Sequence, residues 1–170
     1  MALDLRNDFP RLDRDAVLAA VQEHAPGLLP YARLFLGRRS AYRYLSSNGA
    51  GELLYADQGV DRGDPLAPAF LAVTIREPLE RLEARLRGVA EAEGCSPEAA
   101  AAAVRVRAYL DDVLVRVPAS LAARVPGEAT AALQAGGGSV DEAKTQVWRS
   151  AGGCPPGCDD WWQPAGLLLL

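Results

Sequence analysis

Two aspartates sit at the corner of a hairpin in this chain, and that corner limits what the rest can be. Residues Ala103 to Ala108 alternate apolar and charged side chains as a half-buried strand does, and Val113 to Val117 follow as a second strand. Tyr109, Leu110, Asp111 and Asp112 lie between them. Adjacent carboxylates repel, and each is driven toward its protonated form unless a cation stands nearby. A divalent metal is the natural resident, because Mg²⁺ is usually held by one or two carboxylates together with water and substrate phosphates.

The 170 residues are 49% hydrophobic, enough for one domain with a core. The net charge of -4 and pI near 5.1 argue against a nucleic-acid binder that works by global electrostatics. Arginine is clustered locally, at Arg38, Arg39 and Arg43, at Arg76, Arg81, Arg85 and Arg87, and at Arg105 and Arg107. These planar forks suit phosphate, and equally suit helix surfaces along which they snorkel. One histidine, His24, and three cysteines, Cys95, Cys154 and Cys158, make neither a disulfide framework nor a zinc pattern. Cys154-Pro-Pro-Gly-Cys158 reads as a structural or accidental pair. No secretory leader opens the chain and the four final leucines are too few to span a bilayer, so an intracellular protein, nuclear or cytoplasmic, is expected.

Along the chain, residues 1–9 read as a short strand broken at Pro10. Asp13 reads as the N-cap of a helix carrying Val17, Leu18 and Val21, stopped by Pro26 and Gly27. A second helix runs from Leu28 to Gly37. Segments 41–45 and 52–55 bracket Asn48-Gly49, a hairpin signal. A Gly-rich loop from Asp57 to Pro65 feeds an apolar run that continues as an amphipathic helix through Leu79, Leu82 and Leu86. Residues 88–103 fit helix or surface loop. After the acidic corner come a helix from Ser120 to about Gln134, a glycine breaker at 136–138 and a strand near Thr145 to Trp148. Residues 151–170 are an aperiodic tail. The predicted class is α+β, with helices packed on one face of a mixed or antiparallel sheet.

Four segments in order, Asp4 to Phe9 (DLRNDF), Gly59 to Pro68 (GVDRGDPLAP), Tyr109 to Asp112 (YLDD) and Ala143 to Trp148 (AKTQVW), resemble motifs A, B, C and D of the reverse transcriptase palm, most closely the non-LTR retrotransposon type. The resemblance covers residues 1–150. It implies a polymerase palm-like fold and RNA-directed DNA polymerase activity by two-metal nucleotidyl transfer. Mg²⁺ is the implied cofactor, with Mn²⁺ as a substitute, and the implied partners are RNA/DNA template-primer and dNTP. It also implies that Asp4, Asp111 and Asp112 hold metal and that Lys144 assists the leaving group. Phe9 would gate the sugar, and Arg62, Gly63, Asp64 and Pro65 would form the nucleotide loop.

Three positions depart from the pattern: Arg62 stands where the family has glutamine, Asp8 where it has a small residue, and Leu110 where it commonly has alanine. Counterparts of the fingers and thumb are not recognisable, so weak or absent activity is expected of the chain alone. The rival expectations are a catalytically silent retrotransposon remnant serving as an interaction domain, and an unrelated metal-dependent phosphotransferase built on Asp111 and Asp112 alone.

Overall fold

The computed structural model describes residues 1–6, 8–47, 49, 51–61, 63–109, 112–134, 138–149 and 152–163. Its elements in order are β1 (Ala2–Asp4), α1 (Asp8–Arg11), α2 (Arg14–His24), α3 (Leu29–Leu36), β2 (Ser40–Leu45), β3 (Gly51–Ala56), α4 (Ala67–Ala92), α5 (Pro97–Ala103), β4 (Arg105–Tyr109), β5 (Asp112–Arg116) and α6 (Val125–Leu133). The class is α+β. The strands form two antiparallel sheets rather than one: three strands ordered β1-β5-β4, and the separate hairpin β2-β3.

One face of the three-stranded sheet is dry. Leu3, Val106, Val113 and Val115 point into a core shared with Phe70, Leu82 and Leu86, all buried. The intervening positions form the other face, where Tyr109 is 78% and Leu114 49% exposed. This is the inward-outward alternation expected of a sheet covered on one side only. The cover is α4, 26 residues long, which packs against α2, α6 and β4. Pro78 lies inside α4 and removes one backbone donor; one turn earlier Thr74 Oγ1 donates to Phe70 O at 2.7 Å.

Local chemistry explains most boundaries. Asp13 caps α2, its Oδ1 accepting from Ala16 N at 2.9 Å, and Val17 and Val21 follow it into the core. Asp13→Ala is expected to lower stability by about 1 kcal/mol, read from the urea midpoint at constant slope. Residues 88–103 divide: α4 continues to Ala92, and Ser96 then caps α5, its Oγ accepting from Ala99 N at 3.2 Å.

Three expectations are corrected. Pro10 does not simply end a strand; it sits within the single turn of α1, where a missing N–H leaves nothing unpaired. The helix expected from Ser120 is a 3₁₀ segment, Ala119–Arg124, followed by α6, with Pro126 in the first turn of the new helix. The strand expected at Thr145 to Trp148 is reduced to bridges, Ala2 with Gln146 and Val147 with Trp162.

The β2-β3 hairpin stands apart. Tyr44, Leu45, Leu53 and Tyr55 are each more than half exposed, and its ties to the body are polar. Tyr42 O–H donates to Asp61 Oδ1 at 2.7 Å, which pushes the phenol pKa up because the carboxylate favours the protonated form. The Arg39 guanidinium lies over the Tyr55 ring at 4.2 Å from its centroid.

Candidate metal centre

Antiparallel pairing of β1 with β5 puts Asp4 directly opposite Asp112, with Leu3 opposite Val113 and Ala2 opposite Leu114. Directly opposed residues project from the same face, their Cβ atoms about 4.5–5.5 Å apart. Leu3 and Val113 are on the dry side, so both aspartates emerge on the open side. Asp112 is also opposite Tyr109, on β4. Asp111, and Arg62 of the glycine loop, lie outside the described residues.

On the other edge of β1, Asp141 N donates to Asp4 O at 2.8 Å, and Ala2 and Gln146 exchange both backbone bonds. The segment between them is a 3₁₀ turn, Glu142–Lys144, capped by Asp141 Oδ1 on Ala143 N at 3.2 Å. That turn brings Lys144 Nζ to Asp4 Oδ1 at 3.3 Å. The pair is solvent-accessible, with the side chains 65% and 38% exposed, so it contributes on the order of 0–1 kcal/mol to stability. Its significance is chemical, since an ammonium and a divalent cation compete for the same oxygen.

Asp4 and Asp112 provide hard carboxylate oxygens on an open face, a donor type that suits a hydrated Mg²⁺ or Mn²⁺. Among the described residues no group of three or more His, Cys, Asp or Glu is placed to hold a metal ion. Asp141, whose N–H bonds to the Asp4 carbonyl, has its carboxylate engaged by its capping bond and by Arg6 at 3.6 Å. The donor set that these residues offer is therefore a half-site, two carboxylates wide.

The glycine loop is assembled against α1 rather than against the aspartates. Gly59 N donates to Leu12 O at 2.8 Å and Val60 N to Phe9 O at 2.9 Å. Phe9 is half-buried and packs against the core. Gly63 has φ +100° with open space where a Cβ would stand. Asp64 makes the turn that leads into α4: its Oδ1 accepts from Leu66 N at 2.8 Å and its carbonyl from Ala67 N at 3.0 Å, with Pro65 between. Among the described residues no hydrogen bond or ion pair joins Gly63, Asp64 or Pro65 to Asp4 or Asp112. A cavity of about 520 Å³ lies elsewhere, between α4 and the free edge of β4, lined by Ile75, Arg76, Leu79, Glu83 and Arg107.

Arg14 is the organising residue that sequence reasoning missed. It is 7% exposed, and its guanidinium donates to Gly59 O at 2.9 Å, Arg38 O at 2.8 Å and Ser40 Oγ at 3.0 Å. One side chain thus ties α2 to the glycine loop and to the start of β2. Nothing in the local pattern distinguishes it from a surface arginine just past an N-cap; the signal was only its separation from the arginine clusters. Asp141 was also missed, although an acid three residues before Lys144 is a capping pattern.

No family model, no curated protein and no solved structure matches this chain.

Proposed function

We propose that the chain is a reverse transcriptase-type palm in which Asp4 and Asp112, together with Asp111, form the metal side of a nucleotidyl-transfer centre. The observation that supports this most is convergence: segments 4–9, 109–112 and 143–148, remote in sequence, meet at Asp4, with Asp112 across one strand and Lys144 on its Oδ1. Asp4 and Asp112 would hold the cation. A divalent ion bound there would neutralise charge on the substrate phosphates and on the attacking oxygen.

Lys144 would then be released from Asp4 toward the leaving group, where an ammonium is a proton donor. Phe9 would shape the sugar position, and residues 62–65 would present backbone to the nucleotide. The net charge of -4 offers little attraction for a duplex, so activity of the chain alone is weak or absent. The opposition of Asp4 and Asp112 on neighbouring strands weighs against a centre made from the turn alone.

Isothermal titration with Mn²⁺ tests the reading. Binding is expected in the wild type and not in a double variant, Asp111→Asn with Asp112→Asn; equal binding by both would refute it. In primer extension on an RNA template, any product must require metal and vanish with Asp111→Asn. The second reading, a silent remnant acting as an interaction domain, is favoured by the Lys144–Asp4 pair, which already neutralises the carboxylate. It predicts no Mn²⁺ binding at all.

A further inference from the structure

The tail segment 152–163 contains a tight turn with one thiol just before it and another at its end. Pro155, Pro156, Gly157 and Cys158 close the turn, Cys158 N donating to Pro155 O at 3.2 Å, with Gly157 at φ +71°. Proline at the second position and a positive-φ glycine at the third are the requirements of a type II turn. Cys154 Sγ donates to that same Pro155 oxygen at 3.3 Å, and Cys158 Sγ to Pro156 O at 3.8 Å. The two thiols thus bond to successive carbonyls of one turn. Both are reduced. Cys158 is fully buried and Cys154 partly exposed, so only one of them is open to a reagent.

We propose that Cys154 and Cys158 form a thiol–disulfide exchange site for small-molecule disulfides. The Cys154 thiolate attacks one sulfur of the disulfide RSSR, a new S–S bond forms to Cys154, and one RS⁻ leaves. The Cys158 thiolate then attacks the Cys154 sulfur, the intramolecular bond forms, and the second RS⁻ leaves. Two cysteine thiols are oxidised and one disulfide is reduced; the two protons given up by the cysteines are taken up by the two departing RS⁻, giving two RSH. Cys154 is the entry residue because it is the accessible one, and Cys158 the resolving one.

The bond would close a loop directly attached to the Asp4 region. Cys158 O accepts from Trp161 N at 3.0 Å, Trp161 O from Val147 N at 2.7 Å, and Gln146, next to Val147, pairs with Ala2. Oxidation therefore stiffens the turn that precedes Trp161, the residue whose carbonyl accepts from Val147 N in the segment following Lys144.

Burial, with Asp159 nearby, holds the Cys154 thiol above its ordinary range; burial, then Cys154 and Asp159, does the same for Cys158, against a small opposing effect of the Met1 ammonium. The reaction accordingly accelerates as pH rises through the thiol range, since the thiolate is the nucleophile.

The test incubates the full chain with oxidised glutathione, traps free thiols by alkylation and maps peptides by mass spectrometry. The expected product links Cys154 to Cys158, leaves Cys95 alkylated, and reverts with dithiothreitol. Cys158→Ser is expected to accumulate glutathione on Cys154, and Cys154→Ser to leave Cys158 unmodified over the same interval. Should Cys158→Ser fail to fold, Cys158→Ala serves in its place. Two alkylated thiols at 154 and 158 in the wild type, pairing of either with Cys95, or equal reactivity of Cys154→Ser would each overturn the proposal.

Discussion

Gly59→Ala is expected to remove about 4 kcal/mol or more of stability, a large part of the roughly 5–15 kcal/mol that holds a domain folded. Gly59 has φ +78°, and a Cβ there would stand 2.3 Å from Pro10 O and 2.6 Å from Pro10 C. The obstacle is backbone, which cannot swing aside as a side-chain tip can. The chain must move, and movement breaks Gly59 N to Leu12 O, Val60 N to Phe9 O and the Arg14 bond to Gly59 O.

Gly63→Ala is the matched control. It too has positive φ, +100°, but nothing lies within 4 Å of the added carbon. Its expected loss is only the conformational one, about 1–2 kcal/mol. Urea denaturation of the two variants side by side measures the difference, and equal midpoints would mean that the close approach of the loop to α1 is not structural. A preserved fold in Gly63→Ala also allows nucleotide binding to be read there without a stability artefact.

Asp4→Asn is expected to weaken Mn²⁺ binding by more than tenfold. Loss of an outer-shell partner alone commonly has an effect of 10–100-fold, and Asp4 would be a direct ligand. Lys144→Met should act in the opposite direction. It removes the ammonium 3.3 Å from Asp4 Oδ1 and so removes a competitor for the oxygen. Stability should change by no more than about 1 kcal/mol in Lys144→Met, since the ion pair is exposed. Titration calorimetry on both variants gives opposite signs under the palm reading. Weaker binding in Lys144→Met would instead mean that the lysine organises Asp4 for the metal.

Where local chemistry decides structure, it was legible. The Asp13 cap, the leucine face of α4 and the alternation around the acidic corner depend on neighbours within a few residues, and each appears in the fold. The resemblance drew attention to Asp4 and Lys144, which the structure joins, and to Asp112, which it sets opposite Asp4.

What was not legible depends on distant partners. Arg14 is buried because three acceptors from residues 38, 40 and 59 happen to surround it, and no periodicity encodes that. The division of the strands into two sheets was likewise hidden, because an exposed hairpin and a sheet strand share the same residue preferences. Segment 145–148 has strand-like composition, yet pairing with Ala2 on one side and Trp162 on the other leaves it as bridges.

The middle strand of the three-stranded sheet has a kinetic consequence. β4 and β5 can zip together as a local hairpin, whereas β1 must close a span of 114 positions, from the Met1 ammonium to Val115 O, before it is seated. Contacts of such long range form late, after the loop-closure entropy has been overcome. The opposition of Asp4 and Asp112 is therefore expected to arise late in folding. A collapsed, helix-rich intermediate would lack the paired carboxylates, and its affinity for divalent cations would be the sensitive clock of the final folding step.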